Sequence, residues 1–577
     1  MDSTKPTANN TTGKSLPANA KNPNGSNPKK ENTAKSPNPK PKAADLSKAV
    51  PNDPDSMFKG GFLADVYSEN PPNGFLHLGH TKAIMINFGF ARFHGGDCYL
   101  RFDDTNSTGE EEKYFVAIEE MINWLGFKPV KITHSSDNFD RLYELAEELI
   151  NRDGAYKKRL WPSAVAAKAR PAMRDGKYEP HEAVLRMKQN LEDNNPQMWD
   201  LTAYRVLDEK HKHHRTGNKW RIYPTYDFTH CLCDSFEGVT HSLCTTEFEL
   251  SRVSYEWLCD KVAVYKLMQR EFGRLNISGT VLSKRKILAL IENNHARDWD
   301  DPRLYTLIAL RRRGVPPEAI LSFINELGVT KAETTIDTKR FEQCICRYLE
   351  VTVPRLMLVL DPISVVIENI PEEYTEMVEL PFSKDPASGV HTVPFTRTVY
   401  IERSDFRESA SKDFFRLAPG TSVGLLKLLW CALVMKSLTR GGTTFKKPKS
   451  YIHWVAECPS KNSPVKATVR VFNPLFKSDD PNALPDGFLS DINPRSEEVF
   501  PNAMIETGIE EIKRNAPWPR PREEHSDDVA SAITRPETVR FQGMRVAYFG
   551  LDRDSTETNL ILNRIVTCIP ASRDAPR

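Results

Sequence analysis

The sequence predicts a multidomain protein: a parallel α/β sheet domain, then a helical stretch, then β-barrel or β-sandwich domains. Three observations carry this. From Met57 to about residue 150, short strand-like runs alternate with amphipathic helical runs, the order that builds a parallel sheet. Residues 286–350 keep helical spacing. After about residue 356 come short alternating runs punctuated by Pro and Gly: TVYIERSDF, SYIHWVA, ATVRVF, RVAYFGLD and NRIVTCI. At 577 residues the chain is too long for one core, and about three to five domains are expected.

In order along the chain, FLHLGH (75–80) is a short apolar segment reaching a turn, and TKAIMINFGFARFH then carries apolar residues at helical spacing. CYLRFDD (98–104) alternates like a strand ending in acids. EEEKYFVAIEEMINWLGF and DRLYELAEELI read as amphipathic helices, with Gly154 just beyond the second. The rhythm breaks from about 157 to 210, which reads as an insertion in the sheet domain. RIYPTYDFTHCLCD and GVTHSLCTTEFE resume strand-like character, and DDPRLYTLIALRRRG is the clearest helical piece after residue 286. No internal repeat at solenoid periods is visible.

Composition excludes several classes. Lys and Arg number 79 against 77 acids, a net of +2, so any basic surface depends on arrangement and not on total charge. Residues 1 to about 55 are Lys, Asn, Pro, Ser and Thr with almost no large apolar side chains. Within 1–50, nine Lys face only Asp2, Glu31 and Asp45. Such a segment buries too little to offset its ordering entropy and reads as a disordered tail, secondarily as a weak phosphate-attracting arm. Ten cysteines in so long a chain read as reduced intracellular thiols. The C-x-C pairs Cys231/Cys233 and Cys344/Cys346 lack zinc spacing, so no metal is assigned, and one of each pair is expected to face inward. No run of about 18 apolar residues and no secretory signal core is present, so a cytoplasmic address with no membrane partner is expected.

Two basic elements stand out. His77-Leu78-Gly79-His80 follows a strand-like segment and opens a helix, a position where free backbone N–H groups and the helix dipole suit phosphates. Two imidazoles add donors, and Gly79 permits close approach of a nucleotide. Val281-Leu282-Ser283-Lys284-Arg285-Lys286 is a basic cluster some two hundred residues later, read as a flexible loop whose lysines neutralise phosphates. Each is weak alone, since H-x-G-H occurs by chance and a basic turn is usually just solvated. Asp103 and Asp104 stand together at a strand end, where ligands or helix caps are typical. Tyr226 and His230, four apart in a strand-like run, share one face, whose ordinary reading is core.

In this order, the two basic elements resemble the paired signatures of class I aminoacyl-tRNA synthetases. PNGFLHLGHTKAIMINFGFARFHGG, YLRFDDTN, NKWRIYPTYDFTHCLCDSFEGVTHSLCTTEFE, GRLNISGTVLSKRK and WDDPRLYTLIALRRRG closely resemble the glutaminyl-tRNA synthetases of eukaryotic type, from about residue 61 to the end. The resemblance implies a Rossmann-like catalytic domain (57–285) carrying an acceptor-stem insertion (157–210). It further implies a helical subdomain (286–355) and C-terminal β-barrel anticodon-binding domains (356–577), after the tail (1–56). The implied activity is ATP-dependent ligation of glutamine to tRNA(Gln) through glutaminyl-adenylate, with Mg²⁺ on the phosphates and no tightly bound cofactor. Implied partners are tRNA(Gln), ATP and L-glutamine. The family expectation is a monomer, and the tail offers a route to other translation factors. The alternatives are a glutamyl-tRNA synthetase and a catalytically impaired tRNA-binding paralogue. The glutamyl enzymes are expected to carry Arg where HSLCTTEF has Cys244, so the neutral Cys244 favours glutamine.

The resemblance also implies roles, position by position. His77, His80 and Lys284 would serve the phosphate chemistry. Asn73, Gly74, Gly79, Thr245, Arg274, Leu275, Ser283 and Arg285 would complete the ATP site. Asp103 would take the α-ammonium of glutamine, with Tyr226, His230 and Gln269 around its amide. Arg355, Arg416, Gln542 and Arg545 would read the anticodon. The chain departs from the family in three places. Tyr67 stands where an Arg helping to bind glutamine is expected. The insertion is short. Residues 424–449 diverge, with Leu426 at an expected basic position.

Overall fold

The computed structural model describes residues 75–106, 112–157, 178–179, 182–207, 212–428, 432–434, 448–519 and 535–567. The tail, Tyr67, Asn73, Gly74 and much of the insertion lie outside them.

The helix Leu78–Phe93 starts at the His77 cap and buries Leu78, Met85, Ile86 and Phe90. The strand Tyr99–Phe102 pairs in parallel with Lys131–His134, and the amphipathic helix Glu112–Trp124 crosses between them. Two further parallel pairs follow, His241–Thr245 with Met268–Phe272 and Leu275–Ile277 with Thr334–Ile336. The parallel α/β pattern is thus present among the described residues as separate two-stranded pieces. Ala155–Lys157, Val184–Met187, Thr202–Val206 and Ile222–Pro224 form a four-stranded antiparallel sheet where the sequence breaks rhythm.

Several sequence expectations are corrected here. The run containing Tyr226 and His230 is the helix Tyr226–Glu237, closed by Gly238 in the left-handed region, and not a strand. The aromatic and β-branched residues favour a strand locally, but Phe228, Cys231 and Leu232 recur at helical spacing and are buried. Both Cys231 and Cys233 are buried, not one of the pair. Lys284 begins the helix Lys284–Glu292, capped by Ser283, where a flexible loop was expected. The strand Thr334–Ile336 interrupts the helices Leu307–Arg313, Pro317–Leu327 and Thr338–Thr352. Cys98, Cys231, Cys233, Cys244, Cys259, Cys344 and Cys458 are buried thiols.

The C-terminal part holds a seven-stranded sheet in the order Arg355–Leu356, Arg540–Gly543, Ala547–Leu551, Leu560–Val566, Val465–Phe472, Glu497–Ile505 and Leu358–Val359. Its two edge strands are separated in the chain only by Met357, so the sheet curls into a nearly closed barrel. Pro362–Val366, Thr398–Glu402 and Trp454–Ala456 form a three-stranded sheet against a second β core that includes the fully buried Trp454.

One hydrophobic core runs from Leu78, Phe90 and Leu100 through Leu310 and Phe323 into barrel residues such as Val469, Ile505 and Phe549. A separate core holds the antiparallel sheet and the helix Tyr226–Glu237. The helix Leu307–Arg313 joins the first core's ends. Thr306, its cap, bridges to His77, and Leu78 N–H donates to Tyr305 O at 3.0 Å. At its other end Gly314 has φ +97°, and a Cβ there would lie 3.1 Å from Ile565 and 3.3 Å from Gly550. No helix among the described residues is long and apolar enough to cross a membrane.

Candidate active site

The His77 turn is built by its own side chains. His77 Nδ1 accepts from Gly79 N–H at 3.1 Å, and His80 Nδ1 accepts from His77 N–H at 3.0 Å, a reciprocal cap. The rings lie 3.7 Å apart. Burial, then His80 and Arg274, hold the His77 pKa well below 6.5; burial, then Arg274, lowers His80 to about 4. Both imidazoles are therefore neutral near pH 7. Because each Nδ1 accepts a backbone N–H, the proton sits on Nε2, which is left as a donor. A Cβ on Gly79 would stand 2.9 Å from His77 Cε1 and 3.0 Å from Leu275 O, so this packing requires glycine.

Leu275 and Arg274 close one side of the turn. Arg274 pairs with Glu247 at 2.7 Å, and Thr245 Oγ1 donates to the other Glu247 oxygen at 3.1 Å. Glu247 thus joins two predicted residues and was itself missed. On another side, Lys284, Arg285 and Lys286 crowd the first turn of a helix with no acid there. Positive side chains at the positive end of a helix dipole are unfavourable, and a bound anion relieves both. The Lys284 ammonium lies 4.3 Å above the Tyr114 ring, and that ring packs edge-on at 5.0 Å against Phe75, two residues before His77. One aromatic therefore links the two basic elements. Lys286 instead bonds Asn482.

The predicted amino-acid residues gather at the seam between the first two cores. Asp103 follows a strand end, is 8% exposed, and its Oδ1 has no hydrogen-bond partner. Burial raises its pKa to about 6, against the pull of Arg101 and Thr105. Tyr226 OH meets His230 Nδ1 at 2.9 Å. Burial, then the nearby Asp103 charge, keeps the phenol protonated. His230 Nε2 lies 3.2 Å from Asp234 Oδ2, off the hydrogen-bond axis but close enough for the carboxylate to hold the ring proton on Nε2. Burial would raise the Asp234 carboxyl, but Arg101, His230 and the Tyr255 hydroxyl hold it low. Burial also keeps His230 neutral. The direction of the Tyr226–His230 bond follows the ring's tautomer: with the proton on Nε2, the phenol is the donor.

Gln269 donates to Phe248 O and Glu271 at 3.2 Å, and its side chain contacts the Cys244 thiol. Burial, then Glu271, pushes that thiol's pKa up, so it is neutral. Glu271 in turn faces Arg252 at 3.5 Å and Lys331 at 3.8 Å. Asp104 differs from Asp103: it accepts from Ser136 N–H at 2.8 Å and Ser136 Oγ at 2.6 Å, pinning the turn after Lys131–His134. With His213 and His214 it forms the one group among the described residues that could hold a metal ion. Two backbone N–H groups donate to His213 Nδ1, so Nε2 carries the proton that meets Asp104 O at 2.7 Å. His213 offers no lone pair to a cation, and the group is a hydrogen-bonded hub.

The four expected anticodon residues fall in two pairs. Arg355 and Gln542 are register partners, with Gln542 donating to Tyr548 OH at 3.1 Å. Arg416 and Arg545 both bind the buried Asp405, at 3.1 Å and at 2.7 and 2.9 Å. Leu426 is apolar because it packs on the second β core, its carbonyl accepting from Trp454 Nε1 at 3.0 Å.

Comparison with known proteins agrees with this arrangement. The family described as tRNA synthetases class I (E and Q), catalytic domain, matches residues 70–168 and 162–351. The corresponding anticodon-binding domain families match 353–444 and 451–517. The glutamine–tRNA ligase protein virJ of Hypocrea virens is 53% identical over 89% of this chain and 88% of that protein. The glutamine–tRNA ligase of Saccharomyces cerevisiae is 49% identical over 89% and 72%, and that of Bos taurus 43% over 86% and 64%.

Proposed function

The chain belongs to the class I (E and Q) tRNA synthetases, with glutamine–tRNA ligases as its relatives; its activity is ligation of glutamine to tRNA, and we propose how its residues perform it. ATP enters as its Mg²⁺ complex. Its phosphates lie across the N-terminus of the helix Leu78–Phe93, receiving Nε2–H from His77 and His80, with Lys284 and Arg285 opposite. Ser283 caps the Lys284 helix. Arg274, Thr245 and Leu275 frame the nucleoside beside Gly79. The glutamine carboxylate attacks the α-phosphorus and pyrophosphate leaves. The 2′-OH of the terminal tRNA adenosine then attacks the activated carbonyl, the acyl–phosphate bond breaks, and AMP leaves. No protein nucleophile is needed, and positioning with electrostatic stabilisation supplies the rate.

The observation that carries the choice of glutamine is the 2.9 Å hydrogen bond between the Tyr226 hydroxyl and His230 Nδ1. In this reading the neutral His230 carries its proton on Nε2 beside Asp234, the phenol donates to Nδ1, and its oxygen is left to accept. A glutamine amide donates N–H to it, whereas a glutamate carboxylate has no hydrogen to give. Asp103 takes the α-ammonium through its unpaired oxygen. Gln269 and the neutral Cys244 line the amide end, where the Glu271 carboxylate faces the nearby cations Arg252 and Lys331. The parallel pieces belong to a Rossmann-like domain, the antiparallel sheet to an acceptor-stem insertion, and the helices after residue 286 to a connecting subdomain. The barrel side meets the anticodon through Arg355, Gln542, Arg416 and Arg545. We place the enzyme in the cytosol as a monomer.

ATP–pyrophosphate exchange tests this. It should run with glutamine and tRNA and not with glutamate. Exchange with glutamate sinks the glutamine pocket, and absence of exchange with tRNA still bound makes the chain a binding module. Lys284→Ala should slow activation while tRNA affinity holds; equal loss of both counts against its phosphate role.

A further inference from the structure

Lys82 is 4% exposed and lies one turn into the helix Leu78–Phe93, two residues beyond His80. Its ammonium donates to Gly273 O at 2.6 Å. Among the described residues no carboxylate lies within ion-pair reach of it. A buried ammonium with one carbonyl partner is costly, and an apolar side chain would fill this place at less cost. The carbonyl it holds belongs to a tightly fixed junction. Gly273 N–H donates to Thr330 O at 2.7 Å, and a Cβ on Gly273 would lie 1.9 Å from Ala332 O. The next two residues are Arg274, which acts on both imidazoles, and Leu275, whose carbonyl lies against Gly79.

We propose that Lys82 is a positioning residue for ATP: it clamps Gly273 so that Arg274 and Leu275 face the His77 turn, and it supplies uncompensated positive charge behind that turn for the triphosphate to neutralise. This rests on the reading of His77 and His80 as the phosphate site. Burial lowers the Lys82 pKa, so a nearby anion would favour its charged form. Lys82 lies in the second turn of the helix whose start carries His77 and His80, so a phosphate bound at that start would lower the cost of the buried charge.

The test compares the full chain with its Lys82→Met and Lys82→Arg variants. It measures KM for MgATP and for glutamine in tRNA-dependent pyrophosphate exchange, and the thermal midpoint without ligands. Methionine keeps the volume and removes the charge. Lys82→Met should raise the ATP KM about tenfold to a hundredfold, leave the glutamine KM within about twofold, and leave the unliganded midpoint equal or higher. Lys82→Arg should restore most of the ATP affinity. An unchanged ATP KM overturns the proposal. So does a rise in both KM values together with a lowered midpoint, the pattern of a residue that only holds the fold. If the Met variant does not fold, Lys82→Arg decides: an ATP KM within about threefold of the parent supports the clamp, and a larger rise overturns it. Exchange by the parent chain separately tests the phosphate site itself.

Discussion

Asp103→Asn should stabilise the unliganded protein while disabling glutamine activation. The carboxyl is buried with one oxygen unpaired, and its pKa is raised from 3.8 to about 6. That rise corresponds to about 3 kcal/mol of destabilisation once the group is ionised. The folded state holds this proton more tightly than the unfolded chain, so stability from this group is complete below 3.8 and is lost as pH rises through about 6. Asparagine keeps the shape and removes the charge. Urea unfolding at pH 7 should show the variant more stable by up to about 3 kcal/mol, with the gain gone at about pH 3.5. In the parent, kcat/KM for glutamine should fall below about pH 6, where the protonated carboxyl no longer pairs with the α-ammonium. The variant should lose that limb and about a hundredfold or more of kcat/KM. A less stable variant at pH 7, or one with glutamine KM within about threefold of the parent, refutes the argument.

Three further outcomes are expected. The His80 ring should titrate by NMR at about 4, and its stability contribution should be complete above 6.5 and fade as pH drops towards 4, because the unfolded chain takes up the proton first; a midpoint near 6.5 counts against the buried neutral ring. Tyr226→Phe should strand His230 Nδ1, costing about 1–3 kcal/mol of stability, and should shrink the glutamine-over-glutamate ratio in exchange; an unchanged ratio excludes the phenol as the discriminator. Gly79→Ala should push the His77 ring and Leu275 apart and raise the ATP KM about tenfold to a hundredfold without moving the glutamine KM.

The sequence was most legible where one physical signal dominated. Apolar spacing marks the helix Leu78–Phe93, and alternation marks the barrel strand Val465–Phe472. It misled where local preference and tertiary packing disagree. YDFTHCLCD is rich in strand-favouring residues yet is helical, because its buried face packs into the second core. Reading that run as a helix would have exposed Asp234, which continues the four-residue spacing of Tyr226 and His230 and sets their protons. Arg101, Glu247 and Tyr255 were invisible because their partners are distant in sequence and met only in the fold. Lys284 was found, but its Tyr114 seat was not, since an aromatic on an amphipathic helix looks like any core residue. Arg416 and Arg545 carried no hint that Asp405 already holds them.

Met357 alone separates the first and last staves of the seven-stranded wall. A cylinder joined this way offers almost no raw backbone border for a foreign strand to extend, which guards a long β-rich half against edgewise stacking. It also dictates how any guest is met on that side. With the backbone of the staves already paired, side chains and the connecting loops are what that wall presents outward, and these can be exchanged while the hoop beneath them stays intact.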